Sequence, residues 1–394
     1  RLAEAPMKTA DFRAPSAGRI HRSMAAVDAF VPAPLPPDII YDPDLVLALS
    51  RADATLSELS GVGRQLPNPH LLITPYLRTE AVLSSRIEGT RANLTDVLLD
   101  ELDEGDRDDA LEEDRREVRN YVRALEAGLE WLRAGRPLTL NFVKALHAEL
   151  MRQVRGERAS PDQFRTVQNW IGPSESRIEH AIYVPPPPEL LMECLSDWER
   201  FVNTHDLLPD LIQCAVMHEQ FEAIHPFIDG NGRMGRLLIT LYLMERERLS
   251  QPLLYLSAYI EARRLDYYDR LQGVRTDGDW PAWVHFFLAG VEQTAREAAR
   301  QTMQLIDLRE EIRLRVRNKP KALALIDHLF FNPYITVRRA QEILDVSTPT
   351  ARNAIAALEQ VGMVADVTEG AWRRLYLCRP ILDVLVAANL GGRE

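Results

Sequence analysis

Between about Asp42 and Arg317, apolar residues recur three and four positions apart, and this spacing predicts an almost wholly helical body. Ile212, Ala215, Val216, Phe221 and Ile224 mark one helix over 211–224, and the apolar run Leu237–Met244 marks the next. Tyr76–Ile87 reads as a further helix, with Gly89 as its C-terminal stop. The helical spacing breaks between Phe164 and Pro188. Alternation in Ala181-Ile-Tyr-Val184 and the turn signal Gly172-Pro173 predict a short hairpin there. Pro185-Pro-Pro-Pro188 can continue neither ladder nor helix, and ends it. Residues 1–40 show little periodicity, and the proline-rich Val31–Pro37 reads as an extended arm.

The pattern changes again after Arg317. Lys321–Phe331, Val337–Leu344 and Thr348–Val361 read as helices, with Asp345-Val-Ser347 as a turn and Gly362 as the last stop. Met363–Val367 and Trp372–Cys378 read as strands joined at Glu369-Gly370. Three helices and a hairpin predict a winged helix-turn-helix. The chain thus divides into an arm (1–40), an N-terminal helical region (41–135), a core (136–300), a linker helix (301–318) and the tail (319–394).

A length of 394 residues with 46% apolar content suits two or three soluble units. No apolar run reaches the roughly 18 residues of a membrane span. The first twenty residues carry Arg1, Lys8, Arg13 and Arg19 but no apolar h-region, so no signal peptide is expected. Cys194, Cys214 and Cys378 are few, odd in number and far apart. They suit neither a disulfide framework nor a zinc site, and point to a reducing cytoplasm. The net charge of −11 argues against a protein that coats nucleic acid. Residues 311–394 alone carry +3, which leaves −14 for the rest. The third tail helix offers a DNA reader only Arg352, Asn353 and small hydroxyls, so protein docking or dimerisation is favoured there over DNA contact. The acidic run Asp103–Asp109 reads as a solvated turn.

The densest chemistry lies in His225-Pro-Phe-Ile-Asp-Gly-Asn-Gly-Arg-Met-Gly-Arg236, a loop between two predicted helices. A helix N-terminus presents unpaired N–H groups and a positive dipole end, which suits phosphate oxygens. Gly230 and Gly232 let the backbone approach a phosphate, and Asn231 can add an amide donor. Arg233 and Arg236 lie three apart as cationic clamps. Asp229 is a hard ligand suited to the Mg²⁺ of a nucleoside triphosphate, and His225 can accept a proton from an attacking hydroxyl. Gly230-x-Gly232-x-x-Gly235 matches the dinucleotide fingerprint in letters, but a helix rather than a strand precedes it. His218-Glu219-x-x-Glu222 lacks the second histidine of a zinc protease, so His218 is expected to be a packed or hydrogen-bonded helix residue. No GxxxxGK[ST] or HRD loop is present.

His225–Arg236 resembles the signature of the Fic family, HPFx[DE]GNGRxxR, at every defined position. The resemblance spans about residues 40–300, and the tail resembles the winged-helix domain of many bacterial members. It implies a mainly α Fic-fold bundle with a short β-hairpin flap, and AMP transfer from ATP to Ser, Thr or Tyr of a protein, itself included. It further implies His225 as general base, Asp229 as Mg²⁺ ligand, and Gly230, Asn231 and Gly232 as the anion hole. Arg233 would contact the phosphates and Arg236 the γ-phosphate. The Phe164–Pro188 hairpin resembles the flap that holds a target segment by strand addition. Tyr267 and Tyr268 resemble the nucleotide-side wall, with core packing as their other reading. A homodimer would suit the resemblance.

Ser84-Ser-Arg-Ile-Glu88-Gly89 resembles the family's inhibitory motif [ST]xxxE[GN]. A glutamate at a helix C-terminus faces the unfavourable end of the dipole. The resemblance implies that Glu88 pairs with Arg236 in place of the γ-phosphate; in some members the same glutamate supports AMP removal. Ser257–Glu261 has the same spacing but continues with Ala262, so spacing alone is not diagnostic. The alternative reading is a nucleotide-sensing transcriptional regulator whose tail binds DNA.

Overall fold

The computed structural model describes residues 6–66, 69–102, 109–154, 161–172, 177–368 and 374–387. Helix α1 (Pro43–Arg64) starts where the sequence changes period. Asp42 caps it by accepting from the Leu45 amide at 2.7 Å, and Pro43 fills the first turn. Leu45, Ala52, Leu56 and Leu59 turn one face of α1 onto α11 (Trp280–Arg315), the long helix that joins body to tail.

The centre is a helix pair. α7 (Asp210–Ile224) is buried from Leu211 onward, and α8 (Asn231–Glu245) follows it after a six-residue loop. Around them pack α2 (Pro69–Ile87), α4 (Asp109–Arg133), α5 (Leu140–Leu150), α6 (Pro188–Asn203) and α11. α3 (Leu94–Asp100), capped reciprocally by Asn93 and Asp96, lies beside α4; α9 (Ser257–Ala262) and α10 (Arg264–Asp277) complete the body. Among the described residues no helix is long and apolar enough to cross a membrane.

Two segments depart from the expected pattern. The arm is not simply extended: β1 (Gly18–Arg22) and β2 (Asp28–Pro32) pair antiparallel, Gly18 opposite Pro32. The flap is not a ladder either. Its described part holds one bridge, Ile171 to Tyr183, and a single 3₁₀ turn at Ile178–His180. Ala181–Val184 is also held by the arm: Met7 N–H donates to the Ala181 carbonyl and Phe30 N–H to that of Val184, alongside the bonds to Ile171. Phe30 then packs 6.1 Å from Tyr183. The expected turn Gly172-Pro173 extends beyond the described residues at Pro173, and the acidic run at 103–108 lies outside them altogether.

The tail contains α12 (Pro320–Phe331), β3 (Tyr334–Thr336), α13 (Val337–Leu344), α14 (Thr348–Gln360), β4 (Ala365–Asp366), β5 (Leu375–Leu377) and α15 (Arg379–Ala387). The three helix readings hold to within one residue. The two strands are shorter than expected, and β3, unread in the sequence, pairs with β5 to give the sheet order β3-β5-β4. The turn at Glu369-Gly370 and Trp372 lie outside the described residues. The tail is tied to α2 through Arg78, which is 3% exposed. Its guanidinium grips both oxygens of Glu101 at 2.6 and 2.7 Å, donates to the Phe331 carbonyl and lies 4.4 Å over the Phe331 ring.

Candidate active site

α7 ends at His225, which adopts the left-handed conformation (φ 50°, ψ 60°). A non-glycine residue holds such a backbone only where neighbours fix it. Here Arg165 Nε donates to the His225 carbonyl at 2.9 Å, and Asn169 Nδ2 donates to the carbonyls of His225 (3.2 Å) and Phe227 (2.8 Å). Arg165, 4% exposed, also donates to the Pro186 and Ile224 carbonyls. Its burial lowers its pKa to about 10. Burial, reinforced by Arg165 and Arg275, lowers the His225 pKa to about 3, so the ring is neutral at pH 7.

Gly230 caps α8 with φ +78°. Asn231 is buried, and its side chain closes back on Phe227, accepting from the amide at 2.8 Å and donating to the carbonyl at 2.9 Å. Its amide group therefore braces the loop with one of its two N–H donors. The Asp229 carboxylate is 57% exposed, with Oδ2 at 3.9 Å from Arg233. Arg233 pairs with Glu117 of α4 at 3.2 Å.

Glu88 reaches this loop from α2. Its Oε1 accepts from Arg236 NH2 at 2.7 Å, while Ser84 presents its hydroxyl to Arg236 Nε (2.9 Å) and its carbonyl to NH2 (3.0 Å). A Cβ at Gly232 would land on the Glu88 carboxylate, so the bare α-carbon makes room for it at the start of α8. Burial opposes the charge of both partners. The Arg236 guanidinium nevertheless holds Glu88 below its ordinary range, and Glu88 holds Arg236 above its own. Gly89 ends the segment with φ +105°. Ser257 of the look-alike segment is elsewhere: its hydroxyl and amide bind Glu80 on α2, which also accepts from Tyr121.

The two tyrosines separate. Tyr267 is 1% exposed and its hydroxyl lies 2.8 Å from His218 Nε2, so it is a core residue and the nucleotide-wall reading does not suit it here. His218 stacks on Trp283, neutral because burial lowers its pKa to about 3. Tyr268 is half-buried and lies within electrostatic range of Glu88 and Arg236. The sequence reading missed Arg165, Asn169, Glu117 and Glu80. The one local hint was that Arg165 and Asn169 fall within the break in helical spacing.

No group of three or more His, Cys, Asp or Glu that could hold a metal ion occurs among the described residues. Mg²⁺ commonly binds through one or two carboxylates plus substrate phosphates, and the half-exposed Asp229 beside an anion site fits that mode.

Residues 46–130 match the "Fic/DOC family N-terminal" model and residues 137–243 the "Fic/DOC family" model. A protein adenylyltransferase Fic of Culex quinquefasciatus is 28% identical over 182 residues, covering 44% of this chain and 33% of the relative. A probable protein adenylyltransferase of Aquifex aeolicus is 37% identical over 94 residues, 23% of this chain and 28% of the relative. The chain spans about a third of the length of these curated relatives. A Fic family protein from Desulfovibrio desulfuricans shares the fold at TM-score 0.57 and 22% identity, over 87% of this chain and 98% of that one. A Fic domain containing signaling protein from Bacteroides thetaiotaomicron aligns at TM-score 0.52 and 16% identity, over 64% of this chain and 96% of that one. The two family-model matches place the loop, its two arginines and Glu88 within Fic/DOC family sequence.

Proposed function

We propose that the chain transfers AMP from ATP to a Ser, Thr or Tyr hydroxyl of a protein, itself included, and that Glu88 holds this activity off. The observation that carries the reading is the Glu88 carboxylate seated on Gly232 and paired with Arg236 at the α8 N-terminus. An anion already sits where a phosphate would be received, beside a neutral imidazole. In the reaction, His225 takes the proton of the acceptor hydroxyl. That oxygen bonds to the α-phosphorus as the bond to the β-phosphate bridge breaks, and pyrophosphate leaves. Arg233 and Arg236 contact the phosphates; the amides opening α8 face the developing charge. Asp229 would hold the Mg²⁺ that neutralises the triphosphate. The relatives' names favour this reading over a DNA-binding regulator.

A groove of about 680 Å³ between Met24, Phe164, Val167 and Met192 includes Arg165 in its wall and is our candidate for the target segment. The tail, with its helix order and three-stranded sheet, is read as a winged helix serving protein docking or dimerisation. Three buried thiols without disulfides accord with a reducing cytoplasm. The test is incubation of purified protein with α-labelled ATP. Glu88→Gly is expected to raise self-labelling at least about tenfold, and adding His225→Ala to abolish it. Equal labelling of wild type and Glu88→Gly would refute the autoinhibition.

A further inference from the structure

His147, on α5 and outside the motif loop, is fully buried. Its ring lies flat on Phe227, centroids 3.7 Å apart and planes within 2°. Its Nε2 is 3.0 Å from the Asp229 carbonyl oxygen. A carbonyl only accepts, so Nε2 carries the hydrogen. Burial lowers the ring's pKa to about 4, and Nδ1 has no hydrogen-bond partner. Among the described residues, the Asp229 contact is thus the one hydrogen bond this ring makes.

A trans peptide points its C=O and N–H in opposite directions. Anchoring the Asp229 carbonyl on His147 therefore aims the Gly230 N–H away from α5. That N–H donates to Asp229 Oδ1 at 2.6 Å, and no closer contact holds the carboxylate, since Oδ2 stands 3.9 Å from Arg233. Position 230 has φ +78°, which favours a bare α-carbon, and the space beside it is close-packed. A Cβ there would sit 2.8 Å from Met151 Sδ and 3.5 Å from His147 Nε2.

We propose that His147 is a positioning residue: by holding the Asp229 carbonyl it fixes the Asp229–Gly230 peptide plane, and through the Gly230 amide the carboxylate that meets the nucleotide's divalent cation. The proposal rests on the reading of Asp229 as that ligand. His147→Phe keeps an aromatic stack and removes the donor; His147→Gln keeps a donor and removes the ring. Both are made in Glu88→Gly protein and compared by Mn²⁺ binding in the presence of ATP, followed by electron paramagnetic resonance. Thermal unfolding and the Mg²⁺ dependence of self-labelling are measured alongside.

The Phe variant is expected to bind Mn²⁺ about tenfold more weakly and to need about tenfold more Mg²⁺, with little change in melting temperature. The Gln variant is expected to recover most of the affinity. Unchanged Mn²⁺ affinity in the Phe variant overturns the proposal, as does a Gln variant weaker than the Phe variant. Should the Phe protein not fold, the Gln protein decides: affinity within about threefold of the parent supports the proposal, and a tenfold loss overturns it. If the parent binds Mn²⁺ with ATP yet transfers no AMP, the transferase reading fails while the Mn²⁺ comparison still decides His147. A parent that binds no Mn²⁺ with ATP overturns both.

Discussion

Loop 225–236 and helix end 84–89 meet at one anion site and are held there in different ways. The loop is braced by Arg165 and Asn169 on its carbonyls, by Asn231 folding back on Phe227, and by His147 beneath Asp229. Glu88 arrives on the last turn of α2 and is kept by a single guanidinium, its side chain still 36% exposed. Most loop contacts end on backbone and would survive the loss of Glu88. The glutamate's contact ends on a side chain that a phosphate can claim equally well. The loop is thus held independently of Glu88, the arrangement that the proposed autoinhibition calls for.

The largest expected effect breaks the permanent side. Arg165→Met strips charged donors from the His225, Ile224 and Pro186 carbonyls, and should cost about 3 kcal/mol or more in urea unfolding. A loss below about 1 kcal/mol would mean that the left-handed turn at His225 stands without that brace. Gly232→Ala puts a methyl where the Glu88 carboxylate lies. It should cost about 2 kcal/mol and, unlike Glu88→Gly, bring no rise in self-labelling, because the phosphate needs the same space. Strong labelling by this variant would separate the two occupants' seats.

A smaller effect depends on pH. Burial raises the Glu222 pKa to about 7 from an ordinary 4.5. Between those values the unfolded chain releases a proton that the folded chain keeps, so this group's stabilisation is complete below pH 4.5 and is lost as pH rises through about 7. Glu222→Gln should flatten the fall in melting temperature between pH 5 and 8; an unchanged slope would contradict the raised pKa. The smallest effect sharpens the removable side. Ser84→Ala removes the hydroxyl facing Arg236 Nε but leaves the Ser84 carbonyl bond, so self-labelling should rise about fivefold, less than in Glu88→Gly. A rise matching Glu88→Gly would give the serine equal weight.

Helix positions and the twelve-residue motif were legible because both are local. Apolar spacing marks the first, and the second packs its glycines, arginines, histidine and aspartate into one loop. Glu88 was legible through its motif, and its pairing followed from resemblance. Arg165 and Asn169 were not, since an arginine about sixty residues from the carbonyl it serves leaves no periodic trace. The β1–β2 hairpin was hidden by prolines that suggested an open arm, and the described part of the flap holds one bridge, with Val184 bonded to Phe30 of β2. Of the two readings offered for Tyr267 the structure favours core packing, and spacing alone could not choose, because an aromatic at helical spacing looks alike whether it lines a cleft or fills a core.

Arg78 and Glu80 constrain how the glutamate can leave. Both sit on α2, eight to ten residues before Glu88, tied to the tail and to Ser257. A rod-like slide or tilt of α2 would break both attachments along with the Arg236 pair. Unwinding the final turn leaves both attachments in place, and Gly89, with a positive φ and open space around its α-carbon, is a ready swivel. Under the proposed autoinhibition, release of Glu88 would then be a local fraying of one helix end, with no need for the attachments of Arg78 and Glu80 to break.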